Sequence, residues 1–69
     1  MNEQMCKIVE LTGSSAQSSD DAVRNALQRA AQTLRHLRWF EVIGVHGELE
    51  GGQVKNWQVR IKVGFALEP

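Results

Sequence analysis

A chain of 69 residues, 42% of them hydrophobic, makes a single domain over 1–69 with a small core, because a domain this size buries only about 60% of the surface its unfolded chain exposes. Eight basic and eight acidic residues cancel to a formal net charge of zero and are interspersed, which argues against wholesale binding to a nucleic-acid backbone. One cysteine excludes an intrachain disulfide, and two histidines without a cysteine cluster give no zinc spacing, so of the usual supports for a small scaffold oligomerisation remains.

The first ten residues, MNEQMCKIVE, lack the positive-then-apolar layout of a secretory leader, and no apolar run approaches the ~18 residues of a membrane span. A soluble, cytoplasmic protein with no membrane partner is expected, which also suits a lone free thiol. Alternation from Met5 to Leu11 predicts a short strand, in which Cys6 reads as an inert small hydrophobe. Gly13-Ser14-Ser15 and Gln17-Ser18-Ser19 then read as a turn-rich connection. Ser18 or Ser19 is placed to cap a helix, with Asp20 and Asp21 where the helix dipole favours negative charge.

The helix is predicted from about Asp20 to His36, with Val23, Leu27, Ala30, Leu34 and Leu37 as its packing stripe and Arg35 and His36 at the negative end of the dipole. Beyond Trp39 the period changes to two. Phe40 and Val42 alternate with Glu41 and Ile43 and lead to Leu49, and a second run extends from Val54 to Leu67. Gly51-Gly52 between the runs signals a hairpin, because two-residue turns need positive φ. The last strand puts Trp57, Val59, Ile61, Val63, Phe65 and Leu67 on one face and Gln58, Arg60 and Lys62 on the other. The fold class is therefore α+β: strand, helix, strand, strand, with a helix laid on one face of a small antiparallel sheet whose open edges invite neighbouring copies.

No nucleophile motif, P-loop or dinucleotide fingerprint is present, so an enzyme is not expected. Gly44-Val45-His46-Gly47 is too short for a phosphate loop and reads as a bulge or a close backbone approach, while Glu41, Glu48 and Glu50 read as a solvated strand edge. His46 is either a half-exposed strand histidine or a contact to an anionic ligand group. Trp39 and Gln58 are the best candidates for a site: an indole offers a π surface to a planar ring, and a carboxamide presents a donor and an acceptor to ring heteroatoms. Two readings stand on the residues alone: the two line one cleft, or Trp39 is plain packing. No metal ligands are predicted.

Several segments resemble the dodecins, in order along nearly the whole chain: Ile8-Val9-Glu10-Leu11-Thr12-Gly13, Ala22-Val23-Arg24-Asn25-Ala26, Thr33-Leu34-Arg35-His36-Leu37, Trp39-Phe40-Glu41-Val42, Gln58-Val59, Lys62-Val63-Gly64-Phe65 and Leu67-Glu68. The resemblance implies a β-α-β-β fold with the sheet wrapped around the helix and twelve copies forming a hollow shell. It also implies non-catalytic binding of a flavin (FMN, riboflavin or FAD), with paired rings held between tryptophans of symmetry-related chains. Trp39 matches the stacking tryptophan and Gln58 the glutamine that hydrogen-bonds the ring, while Phe40 would face the protein interior.

Storage and sequestration of flavin, with quenching of its photochemistry by the indole, is the function the resemblance implies; an assembly module without flavin is the alternative. Many bacterial members carry arginine where this chain has His46 and Ala66; histidine and alanine offer much less to a phosphate, so the resemblance does not carry a preference for FMN over riboflavin to this chain and argues against coenzyme A. Trp57, where tyrosine is frequent, is expected to pack in the core or at an interface.

Overall fold

The structure is a computed structural model and describes residues 5–67. Residues 1–4 of the N-terminal stretch and Glu68 of the final resembling segment lie outside the described residues. The elements are β1 (Cys6–Ser15), α1 (Ser19–Thr33), β2 (Leu37–Glu50) and β3 (Gln53–Ala66). All strand pairs are antiparallel and the order is β1-β3-β2, so the strand with the clearest alternation is the central one.

Gly51 and Gly52 take φ of 61° and 79° and close the β2-β3 hairpin, with Glu50 opposite Gln53. Two consecutive positive φ values match the right-handed twist of the flanking strands, and glycine adopts them without a Cβ penalty. Val59, Ile61 and Val63 are fully buried on the face toward α1, as the period-two pattern predicts, and Trp57 packs half-buried beside them. Leu67, expected on that stripe, is past the end of β3 and 44% exposed.

β1 runs through Ser15 instead of stopping near Leu11, and the predicted Gly13-Ser14-Ser15 turn is strand paired with Val59, Gln58 and Trp57. The helix seat explains this extension. A Cβ at Gly13 would run into the Ala22 carbonyl oxygen and come within 2.7 Å of the Ala26 Cβ, so the missing side chain lets α1 lie directly on the strand. Ser15, buried at the corner, donates its hydroxyl to Asp21 Oδ2 at 2.7 Å and accepts the Gln17 amide at 2.8 Å. Ser18 is the N-cap, its Oγ accepting the Asp21 amide at 3.0 Å and so satisfying one donor of the open first turn.

The helix buries Ala22, Ala26 and Ala30, with Val23 and Leu27 only at the rim of the core. The larger residues of the predicted stripe are displaced because close approach to β1 selects small side chains. The helix also ends at Thr33, three residues before the predicted end. Leu34 is extended (φ −112°, ψ 146°), and no basic residue lies in the last turn. His36, expected at the helix terminus, instead has φ of 62° and turns the chain into β2, its carbonyl accepting the Ala66 amide at 2.9 Å.

The helix packs on β1 and β3 and barely reaches β2. The hairpin extends beyond it, so the chain measures 55 × 20 × 13 Å with a radius of gyration of 14.4 Å, against about 11 Å for a compact chain of this length.

Candidate functional site

Pairing in a sheet puts register partners on the same face, and two irregularities in β2 decide which face each side chain takes. Leu37 lies opposite Phe65 but Trp39 opposite Gly64, leaving Arg38 extra. This bulge sends Leu37 to the core side and Trp39 to the outer side. Val42 is opposite Ile61 and Gly44 opposite Arg60, so Ile43 is a second extra residue, which returns His46 to the outer face with Trp39. The outer face therefore carries Trp39, Glu41, Gly44 and His46 on β2 and Gly64, Lys62, Arg60 and Gln58 on β3. The reading of Gly44-Val45-His46-Gly47 as bulge and close approach fits this register.

Trp39 and Phe40 divide between the faces as adjacent strand residues must. The Trp39 indole lies across Gly64: a Cβ there would meet Cε2 and approach Cζ2 and Nε1 to 2.5 Å each. One side of the ring rests on backbone, yet the residue is 41% exposed. Phe40 shares the helix side with Val63 but is 48% exposed, because α1 does not cover β2.

Within one chain Trp39 and Gln58 do not share a cleft. Gln58 is opposite His46, whereas Trp39 is opposite Gly64, six residues further along β3 and about 20 Å away at the usual strand rise. Register puts both on the outer face, but far apart along it. The structure brings together instead His46 and Gln58, which with Thr12, Gly44, Val45 and Arg60 line an open groove of about 430 Å³. Arg60 and Thr12 join this groove without having been expected beside Gln58, although the shared parity of Arg60 with Gln58 is visible in the sequence.

Cys6 is exposed at the start of β1, opposite Ala66, and forms no disulfide. Glu41, Glu48 and Glu50 are exposed as expected. Among the described residues no three His, Cys, Asp or Glu side chains cluster in a way that would hold a metal ion, and no helix is long and apolar enough to cross a membrane.

The family model described as Dodecin matches residues 5–68. A curated dodecin from Thermus thermophilus is 48% identical over 62 residues, covering 90% of each chain. Among solved structures, dodecin from Streptomyces davaonensis superposes with a TM-score of 0.94 at 43% identity, covering 99% of this chain and 100% of its own. Dodecin from Streptomyces coelicolor gives a TM-score of 0.93 at 51% identity, covering 100% of this chain and 99% of its own. With the β-α-β-β order, the three-stranded antiparallel sheet and a match over almost every residue, this chain belongs to the dodecin family.

Proposed function

We propose that this protein, a single dodecin unit over residues 1–69, stores and sequesters flavin in a homo-oligomeric shell of twelve copies. The observation that carries the reading is the seating of Trp39: a large aromatic ring supported from below by Gly64 and open above, where a flat heterocycle can stack. Stacking of this kind contributes about 0.5–1.5 kcal/mol beyond area burial. Indole is also an electron donor to photoexcited flavin, so contact would quench the excited state.

Trp39 and Gln58 of one chain stand too far apart to hold one ring. A ring stacked on Trp39 of one copy takes its hydrogen bonds from Gln58 of another, so the site exists only in the assembly. Around a two-fold axis each copy contributes the same residues, and one tryptophan per chain encloses a pair of flavins. His46 lies beside Gln58 and serves the same ligand. With both ring faces covered, no substrate reaches the flavin, and the role is binding without turnover.

Assembly has its own support. Phe40, Val42, Val45, Leu49 and Val54 are 39–70% exposed, and four of the five lie on β2, which the helix does not cover. That apolar surface also favours a second reading, an assembly module without flavin. Titrating the unliganded protein with riboflavin or FMN separates the two. Flavin fluorescence quenched to saturation near one flavin per chain supports storage, with Trp39→Ala abolishing quenching while the particle keeps its size. Absence of quenching at micromolar protein leaves the assembly module.

A further inference from the structure

The outer face of the sheet carries two cations side by side on β3, Arg60 and Lys62, in different electrostatic settings. Lys62 has Glu10 opposite it on β1 and Glu41 opposite it on β2, so two carboxylates flank one ammonium. Arg60 has Thr12 and Gly44 in the corresponding positions, both uncharged. Register thus places Glu10 and Glu41 opposite Lys62 and no carboxylate opposite Arg60, while Glu48 lies further along the face opposite Asn56; Arg60 lines the groove with Thr12, Gly44, Val45, His46 and Gln58.

Gly44 fixes how the guanidinium lies. A Cβ built on Gly44 would sit 3.6 Å from Nη2 and 3.7 Å from Nε of Arg60, so the planar group extends over the bare backbone of β2. The Ile43 bulge brings this glycine to the outer face opposite Arg60. The exposed fork presents paired N–H donors suited to two oxygens of one phosphate. Thr12 adds a hydroxyl, and an open volume of about 430 Å³ admits a phosphate with part of its alkyl tail.

Resting on the flavin reading above, we propose that Arg60 is the residue that recognises a phosphate monoester in this groove and makes the protein prefer FMN to uncharged riboflavin. Lys62 does not replace it, because Glu10 and Glu41 stand opposite it on both neighbouring strands and its ammonium is a point donor without the paired geometry.

The test is a fluorescence titration of wild type, Arg60→Gln and Arg60→Lys with FMN and with riboflavin, each at low and high salt, with particle size checked by light scattering. Wild type is expected to bind FMN more tightly than riboflavin, with the preference shrinking in salt and under competition by inorganic phosphate. Arg60→Gln should lower the FMN-to-riboflavin affinity ratio about tenfold or more, the usual scale for losing a hydrogen-bonded charge, and Arg60→Lys should fall between. An affinity ratio that is the same in wild type and Arg60→Gln overturns the proposal and leaves flavin storage standing. Failure of wild type to quench either flavin overturns both.

Discussion

The Trp39 indole lies across Gly64, with a position for a Cβ that would overlap the ring. Gly64→Ala must therefore lift or rotate the indole. Flavin affinity is expected to fall roughly two- to twelvefold, the equivalent of about 0.5–1.5 kcal/mol of stacking. In a Trp39→Ala background the same substitution should add nothing, because its effect passes through the ring. Equal losses in both backgrounds, measured by flavin fluorescence, would show that Gly64 acts on the sheet and not on the platform.

Separation of Trp39 from Gln58 along β3 makes a prediction about which copies build a site. Trp39→Ala and Gln58→Ala chains, each deficient alone, should recover part of the flavin binding when refolded together. Mixed particles then contain some pairings of an intact tryptophan with an intact glutamine from different chains. No recovery at any mixing ratio, with mixed particles demonstrated by mass spectrometry, would place both groups on one chain.

The apolar overhang of β2 should be an assembly surface. Val42→Asp and Val45→Asp lie at positions 44% and 56% exposed, so a carboxylate there costs the isolated fold little. Burying it against another copy without a partner costs far more. Sedimentation should show smaller species for both variants with the helical signal in circular dichroism kept. A full-size particle in both would assign the contacts elsewhere.

Two substitutions at the helix seat should affect stability by different amounts. Gly13→Ala forces a methyl group into the Ala22 carbonyl oxygen and toward Ala26, an overpacking that costs about 1–3 kcal/mol. Ser18→Ala removes the N-cap oxygen from the Asp21 amide and costs about 0.5–2 kcal/mol. Urea midpoints at one protein concentration compare them, and Gly13→Ala should shift the midpoint at least as far.

The sequence by itself determined what depends on near neighbours. The Gly51-Gly52 turn, the Ser18 cap and the buried face of β3 from Val59 to Val63 follow from φ preferences, short hydrogen bonds and a period of two, all of which act within a few residues. The resemblance added the family, and the residues in question were legible because their order is kept along the chain.

Tertiary structure alone decided the rest. Leucine and valine spacing suggested one helical stripe, but the close approach allowed by Gly13 selected Ala22, Ala26 and Ala30. The same packing sets where α1 stops, since the chain must turn at His36 to put Leu37 opposite Phe65. The extra residues Arg38 and Ile43 reset the alternation of β2, bringing Trp39, Gly44 and His46 to one face and laying Gly44 against Arg60. A bulge is a property of two strands in register, as is the distance from Trp39 to Gln58, and a period read along one strand holds no record of its partner.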